Sequence, residues 1–120
     1  MTAPPREGFP KEALALARKA VEIEPYNAAY QDTLGGVFYR LGRFPEAVAC
    51  LERNLENGEE WIGLDLYFLA MSYQRLGQGA RARECYDRAN AWWDAHKELA
   101  PSHTAELTAF RAEAAALGLP

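Results

Sequence analysis

Apolar and small residues recur along this chain at separations of three, four and seven, and the same outline returns at a fixed interval. Leu34, Gly35 and Phe38 precede Gly42 by eight, seven and four residues, and Leu69, Ala70 and Tyr73 stand at the same distances before Gly77. Beyond each glycine, Ala47, Leu51 and Asn54 correspond to Ala82, Tyr86 and Ala89; Ala13, Ala17 and Ala20 repeat the outline after Gly8. Such spacings put the residues on one helical face. The three glycines lie 34 and 35 residues apart, and a period near 34 marks a helical-hairpin repeat.

Punctuation supports that reading. Leu41-Gly42 and Leu76-Gly77 place glycine just past a helix, where a left-handed conformation satisfies the last carbonyls. Pro45 suits the first turn of the next helix, while Pro25 and Asn57-Gly58 act as stops. The pattern predicts helices near 11–24, 28–41, 45–57, 62–76, 80–98 and 103–117. Gly35 or Ala70 on a first helix facing Ala47 or Ala82 on a second lets two antiparallel helices approach closely. Leu34, Phe38, Leu51, Leu69, Tyr73 and Tyr86 fill the space around that contact. The expected architecture is all-α: an antiparallel helical-hairpin solenoid of about two and a half repeats with a C-terminal capping helix. A flexible segment 1–10 precedes a single domain over 11–120, divided as half repeat 11–27, repeats 28–62 and 63–98, and capping helix 102–118.

These residues resemble the tetratricopeptide repeat. Its pattern of a bulky residue, Leu-Gly, an aromatic, Ala, an aromatic, Ala and a closing Pro is met by Leu34-Gly35, Phe38, Ala47, Leu51 and Asn54. It is met again by Leu66, Leu69-Ala70, Tyr73, Ala82, Tyr86 and Ala89, and by Ala13, Ala17, Ala20 and Pro25 in an earlier half repeat. Asn54 stands where Ala is usual, Glu59 and Asp94 where Pro is usual, and one residue is inserted between Gly58 and Gly63. The stretch Asp65–Met71 with Tyr86–Ala89 is also similar to modules of large planctomycete-type bacterial proteins. The resemblance implies a right-handed solenoid whose first helices line a concave groove for a peptide or partner protein. Its inward positions are Ala29, Asp32, Gly36, Tyr39 and Arg40, then Leu64, Tyr67, Met71, Gln74 and Arg75.

Such a groove suits an extended or helical peptide. Arg40 and Arg75 recur at one position. They read either as a carboxylate clamp or as cations favoured near a helix C-terminus. The carboxylate clamp of chaperone-type relatives wants Lys and Asn where this chain has Asp32 and Gly36, so chaperone-tail binding is not expected. Helix 11–24 lacks a first-helix partner. Leu14, Ala17 and Val21 are therefore candidates for self-association as a homodimer, or for packing against upstream repeats missing from this chain; an ordinary exposed alanine face is the remaining reading. At the other end Leu107, Phe110, Ala114 and Leu117 form a stripe, with Ser102 or Thr104 as its cap. One of Trp92 and Trp93 is expected to be part-exposed, since consecutive residues cannot share a helical face.

The 120 residues carry 13 basic and 17 acidic side chains, a net charge of −4. That balance argues against nucleic acid and anionic membrane surfaces, and no apolar run reaches the roughly 18 residues of a membrane span. Cys50 and Cys85 occupy equivalent repeat positions. Adjacent-repeat helices about 8–10 Å apart exceed the reach of a disulfide, so both read as reduced thiols of a cytoplasmic protein. His96 and His103 with Glu106 make no convincing metal site. Ser72 and Ser102 lie in no recognisable nucleophile motif, and no phosphate-binding glycine loop is present. The sequence therefore points to a non-catalytic scaffold with no cofactor.

Overall fold

The computed structural model describes residues 9–56, 62–96 and 101–119. These form six α-helices, with no strand among the described residues: α1 (Phe9–Ile23), α2 (Ala28–Arg40), α3 (Phe44–Glu56), α4 (Ile62–Arg75), α5 (Gly79–Ala95) and α6 (Pro101–Ala116). Every boundary lies within three residues of its expected place. α1 begins at Phe9, so Phe9 and Pro10 belong to a helix and not to a flexible segment. The expectations on Asn57-Gly58 and Glu59 lie outside the described residues.

The helix ends explain why the glycines recur. Gly42 and Gly77 have φ of 77° and 76°. After α2, Arg43 N–H donates to the Phe38 carbonyl and Gly42 N–H to that of Tyr39. After α4, Gln78 and Gly77 make the same pair of bonds to Tyr73 and Gln74. This paired closure needs one residue in the left-handed region, which glycine enters without a Cβ penalty. Gly118, at φ 97°, closes α6 in the same way, with Leu119 N–H on Ala114 and Gly118 N–H on Ala115. Asn27 caps α2 by accepting from Tyr30 N–H at 3.1 Å. Pro101 takes the first position of α6, leaving Ser102 and Thr104 inside the helix where a cap was expected.

Short turns fold α2 back on α1, α3 on α2 and α5 on α4. Asn54, near the end of α3, bonds the Ala28 carbonyl at the start of α2, and Gly35 in mid-α2 meets Leu51 in mid-α3. A Cβ built on Gly35 would lie 2.7 Å from Leu51 Cγ, so the close approach expected of Gly35 is made against Leu51. In the next pair, Gly63 meets Trp92, and Tyr67 Oη donates to Asn90 Oδ1 at 2.5 Å. Both pairs are antiparallel. Between them, Tyr73 Oη donates to Glu52 and Asn54 Nδ2 to Asp65 Oδ2.

A second relationship runs across the chain. Gly36 and Tyr39 of α2 lie against Phe68 of α4, and Phe68 packs at a tilt on Phe110 of α6, ring centroids 4.6 Å apart. Gly63 lies near Leu107, and Gln74 Nε2 donates to the Leu117 carbonyl. α6 therefore runs parallel to α4. The core gathers Leu34, Phe38, Ala47, Leu51, Leu66, Leu69, Ala70, Tyr73, Ala82, Tyr86 and Ala89, the positions marked by the repeating pattern. Leu107, Ala114 and Leu119 extend it under α6.

Candidate functional site

An open recess of about 500 Å³ lies between α2, α4 and α6. The parallel run of α2 and α4 beside α6 arranges its lining in tiers. Asp32, Leu64 and Glu106 come from the N-terminal halves of the three helices; Gly36, Phe68 and Phe110 form the middle, with Arg40 beyond. Ala29, Thr33 and Val37 complete the α2 wall, and the lining is mainly apolar. Gly36 keeps the floor open. A Cβ there would stand 3.2 Å from Phe68 Cζ, and a larger side chain would fill the recess.

Arg40 closes the far end. Its guanidinium makes two bonds to one carboxylate, Nη1 to Glu113 Oε2 at 2.7 Å and Nη2 to Oε1 at 2.6 Å. It also lies 5.6, 6.0 and 5.9 Å from the ring centroids of Tyr39, Phe68 and Phe110. The hydrogen bond to Glu113 raises the pKa of Arg40 above its ordinary value, outweighing burial. Its fork is thus spent on a carboxylate within the chain.

The positions counted from the sequence divide into two groups. Ala29, Asp32, Gly36, Arg40 and Leu64 line the recess. Tyr39, Tyr67 and Met71 are buried and present nothing to a groove. Tyr39 packs on Phe44 and Phe68, while Tyr67 packs edge-on against Tyr86 and bonds Asn90. Burial pushes the Tyr67 phenol up to about 12. Gln74 is tied to Leu117, and Arg75 stands exposed outside the recess. Phe68, Phe110, Glu106 and Glu113 were not anticipated in the site. The apolar stripe on α6 gave a signal for Phe110, and the acids three or four residues to either side of it share its face.

The self-association candidates also turn inward. Ala17 is buried, and Leu14 and Val21 pack against the core. Among the described residues, the large apolar side chains that α1 and its following turn leave in water are Leu16, Ile23 and Tyr26, at 72%, 69% and 90% exposure. Trp92 and Trp93 are both half-buried. Trp92 lies against Gly63 and stacks on His96 at 4.1 Å, and Trp93 sits under the Arg111 guanidinium.

Cys50 and Cys85 are free thiols, half-buried and buried. Burial raises the pKa of both, that of Cys85 to about 11. Ser72 is fully buried within α4. Among the described residues no group of three or more His, Cys, Asp or Glu side chains could hold a metal ion, and no helix is long and apolar enough to cross a membrane. The chain matches no family model, no curated protein and no solved structure.

Proposed function

We propose that this chain is a tetratricopeptide-like, right-handed solenoid that binds a peptide or a segment of a partner protein in the groove between α2, α4 and α6. The observation that carries the reading is the recess itself: an apolar floor of Gly36, Leu64, Phe68 and Phe110 with charged groups at its edges. Concave apolar sites with a few fixed polar groups are the usual form of a binding site. The surrounding side chains are already held by Arg40–Glu113 and by the Tyr39, Phe68 and Phe110 ring contacts, so little ordering is needed on binding. The work is binding without chemistry or cofactor, in the cytoplasm.

The test is a selection of displayed peptides on the immobilised protein, followed by mapping of amide shifts. Selected peptides are expected to move Thr33, Gly36, Val37 and Phe110 and to lose binding in Thr33→Trp, which places a bulky group at an exposed wall position. Binders that map elsewhere and survive Thr33→Trp overturn the reading.

A second reading is self-association through α1, favoured by Leu16 and Ile23. They are seven residues apart, share a helical face and are both exposed. Light scattering over a tenfold concentration range decides it. A dimer lost in Leu16→Glu or Ile23→Glu supports assembly, and a monomer throughout removes it.

A further inference from the structure

We propose that α6 is a built-in ligand of the groove, displaced by an amphipathic helix of a partner protein that brings its own glutamate to Arg40. This rests on the groove reading above and adds the partner's chemistry and its control. Earlier in the chain, α2 packs along α1 and α4 along α3, each on the helix just before it. α6 breaks that order. Among the described residues it packs along α4, and α5 offers it no comparable seam. Phe110 lies on Phe68, the ring that also meets Gly36 and Tyr39, and Glu113 reaches Arg40 of α2. α6 thus lies over the junction of α2 and α4, where a bound segment would lie.

Its packing is one-sided. Leu107, Ala114 and Leu119 are buried and Phe110, Glu113 and Leu117 half-buried, while every other residue from Thr104 to Gly118 is exposed. α4 is instead buried all round from Asp65 to Tyr73. The ties of α6 to its seat include a half-exposed ion pair with Arg40 and the Gln74 bond to the Leu117 carbonyl. Beside it a recess of about 500 Å³ stays open over Gly36, Leu64 and Phe68. A helix laid in a groove by its apolar face is thus the form this site already holds. A partner helix with the stripe of Leu107, Phe110, Ala114 and Leu117 and a carboxylate in place of Glu113 repeats every one of these contacts. One bulky apolar side chain turned toward Gly36 fills the recess as well. Because α6 is tethered, it competes at an effective concentration of about millimolar, and the partner's apparent affinity follows the fraction of chains whose α6 is loose.

The probe is a fluorescent peptide of residues 104–119, titrated by anisotropy into the full chain and into its Leu107→Glu variant, whose α6 stripe is broken. It is expected to bind Leu107→Glu at least about tenfold more tightly than the unaltered chain, because the variant's own α6 no longer competes. Glu113→Arg in the peptide should cost about three- to tenfold, and adding Arg40→Glu to the Leu107→Glu chain should reverse that order. Amide shifts at Gly36 and Phe68 locate the bound peptide. Hydrogen exchange on the unaltered chain needs no variant: α6 amides are expected to exchange well before those of α4. The proposal is overturned if α6 exchanges only together with α4, or if binding ignores both Leu107→Glu and the charge swap. Displayed peptides that fill the recess while α6 keeps its protection also overturn displacement, and leave the groove reading standing. A dimer of the unaltered chain that excludes the peptide assigns the seat to a second copy's α6 and overturns the foreign partner.

Discussion

Asn54 donates a 2.8 Å hydrogen bond to the Asp65 carboxylate at a point where the two residues are 1% and 0% exposed. The same amide reaches the Ala28 carbonyl at 3.2 Å, so one side chain ties the start of α2, the end of α3 and the first turn of α4. Among the described residues Asp65 Oδ1 has no hydrogen-bond partner, and Asn54 is the side chain that donates to Oδ2. Asn54→Ala is therefore expected to cost about 3 kcal/mol, since it strands a buried acid. The double variant with Asp65→Ala should lose less than the sum of the two singles. Urea midpoints at constant m-value give both numbers.

The Arg40–Glu113 pair joins α2 to α6 across 73 residues, yet its side chains are half exposed. Solvent screening limits such a pair, and a double-mutant cycle with alanine is expected to return a coupling of about 0.5–1 kcal/mol. That coupling should fall at molar salt, where the screening length is about 3 Å. A coupling unchanged by salt would show that ring packing, not charge, holds α6 at this point.

The buried thiol and phenol predict an alkaline limit. Cys85 titrates near 11 and Tyr67 near 12 in the folded chain, against ordinary values of 9.0 and 10.0, and burial is the first cause of both shifts. Each neutral group favours the folded state below its unfolded pKa. That contribution fades as pH rises from about 9 through the folded values, because the unfolded chain releases its protons first. Stability measured by denaturant should hold flat across neutral pH and decline above about 9.

Thiol accessibility supplies a separate check on packing. Cys50 is half-buried on α3 and Cys85 buried on α5. A maleimide at pH 8 is expected to modify Cys50 in the native chain and Cys85 only after local or global opening. Equal labelling rates would mean that α5 detaches from α4 more readily than its packing implies.

Gly35→Ala tests the close approach of α2 and α3. The new methyl would stand 2.7 Å from Leu51 Cγ and Cδ2. Overpacking of about 1–3 kcal/mol should outweigh the roughly 1 kcal/mol that alanine gains in helix propensity. Thermal denaturation is expected to show a lower midpoint, and a higher one would mean that Leu51 has room to move.

Much of the fold was legible because its signals are local. Gly42 and Gly77 mark closures made with residues a few positions earlier, and the spacing of Ala47, Leu51, Ala82 and Tyr86 records which face is buried. Asn54 looked like a departure from alanine; its reason lies 11 and 26 residues away, beyond any helical period. The groove was legible on α2, where Asp32, Gly36 and Arg40 fall four apart, and less so on α4. Counting placed Tyr67 and Met71 in the groove, but contacts with α5 and the packed core claim them, and neighbouring Phe68 forms the floor. The partner of Arg40 depends on how α6 docks, which no repeat register encodes.

Gly42 and Gly77 select for handedness and are indifferent to size. A Cβ built on either meets nothing within 4 Å, although both sit at positive φ. An L-residue there would carry the left-handed penalty of about 1–2 kcal/mol in open space. A D-alanine introduced by chemical synthesis favours that same φ, touches no neighbour and narrows the unfolded ensemble. The two turns are therefore places where mirror-image chirality strengthens this protein, by about 0.4–1 kcal/mol at each.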